Sequence, residues 1–391
     1  MSKVTEIYTN LSLFCVFRGL LSKKLFKDFM AFVEENDNSS KLKKYGEFVY
    51  EINKNGGNLA QCVRKMLFED ENIYVVSKAR GVEVPQSIRG AVASELNTLT
   101  DLVALNSKAF QLDLRTSHSL PEFETNRIDL KKEYEARLES IEKYGYGIFA
   151  SNCMFSVDEN GDIIPVLSAD TTSLDSFIGY QAERQRVIDN TLAFLEGRPG
   201  ANVLLYGDAG TGKSSTVKAI ANHFFDCGLR LLEIRKNQLL LLPKIMGEIS
   251  KNPLKFIIFI DDLSFNQNDD CFSMLKATLE GSASVRTKNA IIYATSNRRH
   301  IVKESFGDRE GTEVHRNDTI QETISLSERF GLTVLFSKPP KALYLEIINQ
   351  LAKKHNIKMD KNELETKAEA FALSRGYRSP RCAEQFIDSL I

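Results

Sequence analysis

The sequence lacks the features of a disulfide-stabilised or membrane-spanning chain. Its six cysteines are scattered and no Cys-x-x-Cys pair occurs, so we expect free thiols in a reducing compartment, with neither a disulfide framework nor a zinc site. The apolar run at 11–17 ends at Arg18 and is much shorter than the about 20 residues that a membrane helix needs. Because no small-residue cleavage site follows this run, we expect a cytoplasmic protein without a membrane partner.

The sequence also lacks an excess of positive or negative charge. The 51 basic and 52 acidic residues leave a net charge of −1, which argues against a general attraction to nucleic acid or to a membrane surface. A local basic patch remains compatible with this balance. The 391 residues, of which 42% are hydrophobic, are enough for two or three domains with a sizeable core.

The strongest signal that is present is a glycine-rich loop between a buried strand and a helix. Its residues are Gly207, Asp208, Ala209, Gly210, Thr211, Gly212, Lys213, Ser214 and Ser215. The Gly-x-x-x-x-Gly-Lys-Ser spacing is typical of a P-loop, in which glycines let phosphate oxygens approach backbone N–H groups at the start of a helix. Lys213 is then expected to reach the β- and γ-phosphates, and the Ser214 hydroxyl to ligate Mg²⁺. The sequence therefore predicts a nucleoside triphosphate and Mg²⁺ as ligands.

The chain around this loop is predicted to form three domains. Residues 1–167 show helical spacing of apolar residues, include a charge-dense exposed helix at 122–143, and end in a β-hairpin at 154–166. Residues 168–338 alternate apolar strands with helices, which favours a parallel sheet flanked by helices. The predicted strands are 202–206, 229–234, 256–260, 291–295 and 332–336, and three helices follow within 339–391, at 342–354, 362–374 and 380–390. The first domain shows no recognisable chemistry and is expected to be an accessory or partner-binding domain.

Polar residues follow two of the predicted strands, and an arginine precedes a third. Asp261 is expected to hold Mg²⁺ directly or through water, and Asp262 to orient or deprotonate an attacking water. The alternative for this acidic pair is a helix N-cap. Asn297 is placed to hydrogen-bond both the γ-phosphate and the attacking water. Arg329, just before the strand 332–336, is expected to supply a cationic group to the transferring phosphoryl.

The order of these residues resembles that of the AAA+ ATPases. The segment 174–180 is similar to the family's adenine pocket, with Ile178, Gly179 and Tyr180 nearest the base. The segment 376–381 resembles the one with the family's second sensor arginine, and we assign that role to Arg381 rather than to Arg378.

More narrowly, the stretches 261–265, 294–300 and 327–331 resemble uncharacterised bacterial AAA+ ATPases that are grouped as domain-of-unknown-function family 815. The resemblance covers about 174–391 well and the N-terminal part weakly. It implies an α/β fold with a P-loop parallel sheet in the order 5-1-4-3-2, flanking helices, a small helical C-terminal lid and ATP as the ligand. A mostly helical N-terminal domain completes the expected fold.

Two departures from the wider AAA+ pattern shape the functional hypotheses. Asp262 stands where most members have glutamate, and the segment 235–242 shows no aromatic–glycine pore loop, which argues against a protein unfoldase. The first hypothesis is a homo-oligomeric ATPase that hydrolyses ATP–Mg²⁺ with Arg329 acting on a neighbouring subunit, and that moves its N-terminal domain against an unidentified protein or nucleic-acid partner. The second is a low-turnover, ATP-dependent switch or loader that recruits a protein or single-stranded DNA. A P-loop kinase is disfavoured because no acceptor site is visible.

Two features that follow Asn297 leave their roles open. Arg298, Arg299 and His300 fit a nucleic-acid backbone, a neighbouring subunit's nucleotide or, more simply, carboxylates of the same chain. Residues 302–322 are polar and contain glycines, a pattern that predicts a long mobile loop.

Overall fold

The computed structural model describes residues 2–114, 116, 119–168, 170–264, 270–279, 288–297 and 328–391. The chain divides into two compact units, Met1–Ser151 and Asn152–Ile391. The basic cluster at 298–300 and the predicted loop at 302–322 lie outside the described residues. No helix in the described part of the chain combines the length and the apolar character that crossing a membrane requires.

The first unit consists of helices around an aromatic core. Its α-helices are Lys3–Ser12, Lys24–Glu34, Asn38–Lys54, Leu59–Glu69, Ile73–Ala79, Gln86–Val103, Ser107–Leu114, Leu130–Glu139 and Ile141–Tyr144. Phe110 contacts several rings of this core, with centroids 5.4 Å from those of Phe32 and Tyr45 and 5.5 Å from that of Phe48. The charge-dense tract becomes helical only at Leu130, where the Asp129 carboxylate caps the helix by accepting a hydrogen bond from the Lys132 N–H at 3.0 Å.

One seven-stranded sheet organises the second unit. Its strands are β1 Met154–Val157, β2 Ile163–Pro165, β3 Val203–Gly207, β4 Leu229–Ile234, β5 Lys255–Ile260, β6 Ala290–Ser296 and β7 Leu332–Phe336. They lie in the order β2-β1-β4-β5-β6-β3-β7, and all neighbours are parallel except β1 and β2. Counted from β3, the five strands that the sequence predicted have the order 5-1-4-3-2, which confirms the predicted α/β fold. Among them, β5 is completely buried from Phe256 to Ile260, as its continuous apolar run requires.

The β1–β2 hairpin belongs to this sheet, not to the N-terminal domain where the sequence analysis placed it. Phe155 of β1 pairs with Leu232 of β4 in parallel register, and the Leu231 N–H donates to the Cys153 carbonyl at 2.9 Å. The hairpin thereby covers the edge of β4, which would otherwise expose unpaired backbone groups. The division between the units accordingly lies after Ser151, ahead of the boundary expected near residue 168.

Helices flank the sheet and form the predicted C-terminal lid. The α-helices between the strands are Gln181–Leu195, Lys213–His223, Leu242–Ile249 and Asp270–Leu279, and those of the lid are Lys341–Lys354, Lys361–Arg375 and Pro380–Asp388. The lid has its own hydrophobic core, in which Tyr344, Ile348 and Phe386 are buried. Its last helix begins beside the glycine-rich loop, because the Arg381 N–H donates to the Gly210 carbonyl at 3.2 Å.

Candidate nucleotide-binding site

The glycine-rich loop connects the end of β3 to the helix Lys213–His223. Gly207 has a φ of 130°, and a Cβ at this position would lie 2.2 Å from the Phe336 carbonyl oxygen of β7, so only glycine fits. Gly212 precedes the helix with a φ of 89°. The loop therefore leads directly into a helix N-terminus, where free backbone N–H groups and the helix dipole favour the binding of anions.

Lys213 is buried beneath the loop, with 6% of its surface exposed. Its ammonium donates to the carbonyls of Gly207 and Asp208, at 2.9 and 2.7 Å, and to the Asn297 side-chain oxygen at 3.1 Å. Burial lowers the pKa of Lys213, and the nearby carboxylates of Asp208, Asp261 and Asp262 oppose that shift. The structure therefore joins Lys213 and Asn297, which the sequence placed in one site.

Asp261 follows the carboxyl end of β5 and lies beside the first turn of the helix Lys213–His223. The Ser214 hydroxyl donates to Asp261 Oδ1 at 2.6 Å, and the Thr295 hydroxyl donates to the same oxygen at 2.5 Å. A hydroxyl and a carboxylate at this distance are the hard oxygen donors that Mg²⁺ prefers. Ser214 and Asp261, the two predicted metal ligands, are thus neighbours.

Asp262 has an unusual backbone conformation, with a φ of 49°. Two groups accept its N–H, the Thr295 hydroxyl at 2.9 Å and Asp261 Oδ1 at 3.1 Å. Its carboxylate accepts a hydrogen bond from the Asn297 amide at 2.8 Å. Asn297 therefore bridges Lys213 and Asp262, and the strained backbone presents the Asp262 side chain at the same edge of the sheet.

Thr295 is a residue of this site that the sequence analysis did not single out. It is 2% exposed, and its hydroxyl contacts both members of the acidic pair. The alternation of side chains along a strand places Thr295 on the same face of β6 as Asn297. That spacing is the sequence signal that would have pointed to it.

The segment 174–180, which the sequence analysis compared with an adenine pocket and which we call the base segment, leads into the helix Gln181–Leu195. Gly179 has a φ of 73°, and a Cβ there would lie 2.9 Å from the Leu343 side chain of the lid. The Tyr180 hydroxyl donates to the Ser337 carbonyl at 2.6 Å, its ring stacks on Phe336, and burial raises the pKa of Tyr180 to about 12. These contacts fix the segment to the end of β7 and to the lid.

A pocket lies between the base segment, the loop and the lid. Ile178 and Tyr180 line it from the base segment, and Gly210, Thr211, Gly212 and Ser215 from the loop. Arg381 lines it from the lid, whereas Arg378 forms a bidentate pair with Glu369 at 2.9 and 2.7 Å. The geometry thus favours the assignment of Arg381 over Arg378 as the lid arginine that faces a ligand.

Asp208 and Ala209 belong to the loop but do not line the pocket. The Asp208 carboxylate accepts a hydrogen bond from the Lys338 N–H at 2.9 Å, which ties the loop to the chain after β7. Ala209 is exposed. We infer that the Asp208 side chain positions the loop.

Arg329 is the predicted site residue that the structure does not bring to this edge. Strands β3 and β7 are parallel, with Val203 opposite Leu332 and Gly207 opposite Phe336. Arg329 precedes Leu332, so it lies near the amino-terminal end of the sheet, and β7 itself spans roughly 15 Å. Arg329 is therefore at the opposite edge from the P-loop of its own chain.

Comparison with known proteins adds a family to this geometry. We found no matching curated protein. Among solved structures, similarity extends to the RuvB Holliday junction branch migration motor of Thermotoga maritima, with 14% identity over 56% of this chain and 72% of the other and a TM-score of 0.34. An Aeropyrum pernix Orc1 structure with DNA gives 15% identity over 54% and 58% of the two chains and a TM-score of 0.39. A katanin structure gives 17% identity over 51% and 65%, with a TM-score of 0.32.

A family profile described as "Protein of unknown function (DUF815)" matches residues 150–391. The matched region covers the complete sheet, the glycine-rich loop and the lid, which together contain the predicted site residues. The matched region is more than half of the chain, which therefore belongs to the DUF815 family.

Proposed function

We propose that this protein binds ATP with Mg²⁺ and hydrolyses it to drive a conformational change on a protein or nucleic-acid partner. The observation that carries the proposal is the convergence of Lys213, Asn297 and the acidic pair at the carboxyl edge of the sheet. Each of these groups comes from a different element, so their meeting is a property of the fold. Such an edge of a parallel sheet is where nucleotides bind.

The residues present fit both ligands. Backbone N–H groups of the loop and the Lys213 ammonium provide the positive environment that phosphates require, and Arg381 faces the same pocket from the lid. Ser214 and Asp261 would hold Mg²⁺, which in such sites neutralises the charge of the phosphates. Asp262 accepts a hydrogen bond from Asn297, so the amide can orient its carboxylate. In that orientation Asp262 can accept a proton from water.

Completion of the site requires a second copy of the chain in this proposal. Since Arg329 lies at the other edge of the sheet, it cannot approach the phosphates bound by its own P-loop. A homo-oligomer in which the amino-terminal edge of one subunit faces the P-loop of the next supplies Arg329 in trans. Such an arginine is worth about a thousandfold or more in turnover.

The test is ATP turnover across a series of protein concentrations, with three variants beside the wild type. Specific activity should rise with concentration. Lys213→Ala should lose binding and turnover, whereas Arg329→Ala should retain binding and lose turnover about a thousandfold. Lys218→Ala, on the same helix but paired with Glu233 at 3.3 Å, is the matched control and should behave as the wild type.

Mixing the two inactive variants tests the trans arrangement directly. A mixed oligomer contains sites that combine an intact Lys213 with an intact Arg329, so turnover should reappear on mixing. If Arg329→Ala alone has wild-type turnover, or if mixing restores none, Arg329 does not act in trans.

The alternative function is a low-turnover switch that recruits a protein or single-stranded DNA in its ATP-bound form. The observation that favours it is the short Asp262 side chain, which is held by Asn297 on a strained backbone. Tight ATP binding with negligible turnover, until DNA or a protein partner is added, would select this function.

A further inference from the structure

Arg184 is a buried cation at the pocket that the proposed function does not use. It lies in the helix Gln181–Leu195, is 6% exposed, and lines the same pocket as the loop and the lid. Burial of a guanidinium is costly unless hydrogen bonds or opposite charge compensate it. Its contacts therefore show what compensation the protein itself supplies.

The protein supplies only part of that compensation. Within the described residues, the guanidinium donates one hydrogen bond, to the Gly179 carbonyl, and lies over the Phe177 ring at 4.9 Å. The neighbouring Glu183 carboxylate acts on it electrostatically, but no ion pair joins the two residues. A guanidinium has five N–H donors, so most of the donors of Arg184 have no acceptor in this part of the chain.

The position of Arg184 indicates which part of a nucleotide would use those donors. The phosphates belong to the loop, which approaches the pocket at Gly210–Gly212 and Ser215. Arg184 instead donates to the Gly179 carbonyl, within the base segment, and the lining of the pocket includes the apolar side chains of Ile178, Ile347 and Leu351. Apolar walls around a few convergent polar groups are suited to a flat heterocycle whose edge is hydrogen-bonded.

We propose that Arg184 donates to the N7 acceptor of a bound purine and thereby selects purine over pyrimidine nucleotides. N7 is the edge acceptor that adenine and guanine share, and arginine is well suited to it. The proposal rests on nucleotide binding at this site and adds the group that reads the base. It makes Arg184 a specificity-determining residue that also orients Gly179.

The test uses binding, measured by calorimetry, so that it does not depend on turnover. The probes are ATP and 7-deaza-ATP, in which a C–H replaces N7. Wild-type protein should bind 7-deaza-ATP about tenfold more weakly than ATP, the scale of one charge-assisted hydrogen bond. Arg184→Met, which matches the stem length without donors, should bind both probes equally and more weakly than the wild type binds ATP.

Arg186→Met is the matched control, since Arg186 is exposed on the same helix and donates to the Thr333 carbonyl at 3.2 Å. It should keep the wild-type preference for ATP. Equal wild-type affinity for the two probes would overturn the proposal without any variant. A variant Arg184→Met that weakens both probes by one factor while preserving their ratio would leave Arg184 a purely structural role.

Failure of the proposed function gives a different result. If wild-type protein binds neither probe, nucleotide binding itself is wrong. Lys213→Ala should lose the binding of both probes alike, because it removes a phosphate contact that the two probes share. Loss of the ATP preference in Arg184→Met alone therefore belongs to base recognition.

Discussion

Glu95 in the first unit and Lys213 in the second are both buried charged residues, and their partners differ in kind. In the first unit, Glu95 is 5% exposed and accepts hydrogen bonds from three consecutive backbone N–H groups, those of Cys15 at 2.8 Å, Val16 at 3.1 Å and Phe17 at 2.8 Å. In the second unit, Lys213 is as deeply buried, but it contacts carbonyls of a loop and a side-chain amide beside a strained backbone. The first arrangement satisfies its charge with fixed backbone donors, whereas the second uses groups that a ligand can also engage.

The difference separates charge that stabilises a fold from charge that serves a reaction. The Glu95 carboxylate accepts three backbone N–H groups and the Cys15 thiol, all from one short segment, so its removal should change the free energy of unfolding alone. Among the described residues other than glycine, three have a positive φ: Asp262 at 49° and Tyr180 at 53° lie at the candidate site, and Asn356 at 54° lies in the lid. Strain of this kind persists where the surrounding structure enforces it, and it is common at active sites.

The largest expected effect on stability is that of Glu95→Ala. The substitution leaves backbone donors of Val16 and Phe17 buried without an acceptor, so the free energy of unfolding should fall by about 3 kcal/mol or more. Equilibrium unfolding in urea measures the loss. Turnover per folded molecule should equal that of the wild type, because the hydrogen-bond donors of Glu95, at Cys15, Val16 and Phe17, all belong to the first unit.

Glu6→Ala is the control for this comparison, since Glu6 is an exposed residue of the same unit. It should change stability by less than about 0.5 kcal/mol. A turnover defect in Glu95→Ala at equal folded fraction would contradict the distinction between structural and functional buried charge. It would mean that Glu95 and its backbone donors take part in the reaction.

The sequence predicted local features of the second unit well and long-range contacts poorly. The continuous apolar run of β5 and the glycine spacing around Lys213 are local patterns, and both form the predicted elements. The pairing of β1 with β4 depends on an edge that exists only after the sheet has formed. Likewise Glu95 and its backbone donors are about 80 residues apart, and no local periodicity relates them.

Within the candidate site, the same rule separates the predicted residues from the missed ones. Lys213, Asp261 and Asn297 each end or follow a recognisable strand, so a motif identified them and the structure brings them together. Thr295 and Arg184 act through contacts with residues on other elements or with a pocket. Those contacts follow from the packing of the sheet, the base segment and the lid, which no motif specifies.

A smaller effect is expected for Thr295→Val, which removes a hydroxyl but keeps the side-chain shape. Without it, Asp261 loses one of its donors and the Asp262 N–H loses an acceptor. The turnover number should fall about tenfold and more Mg²⁺ should be needed for half-maximal turnover, while ATP affinity changes little; one lost hydrogen bond has about this magnitude.

Thr295→Ser should restore most of the turnover, because it returns the hydroxyl. The control Thr191→Val removes another buried hydroxyl, one that contacts Tyr293 at 2.7 Å away from the acidic pair. It should lower stability by about 1 kcal/mol without altering the Mg²⁺ requirement. If both valine variants shift the Mg²⁺ requirement equally, Thr295 does not position the acidic pair.

The last prediction concerns a small change in stability, and it tests the link between backbone strain and the reaction. Asp262→Gly relieves a left-handed conformation and should raise the free energy of unfolding by about 1 kcal/mol, because glycine adopts positive φ without steric cost. It should also abolish turnover, because the carboxylate that Asn297 contacts is lost.

Asn356→Gly is the matched control, since Asn356 has a φ of 54° in the lid, outside the site. It should stabilise the protein similarly and leave turnover unchanged. Stabilisation by Asn356→Gly but not by Asp262→Gly would mean that the network around Thr295, rather than backbone strain, determines the conformation of Asp262.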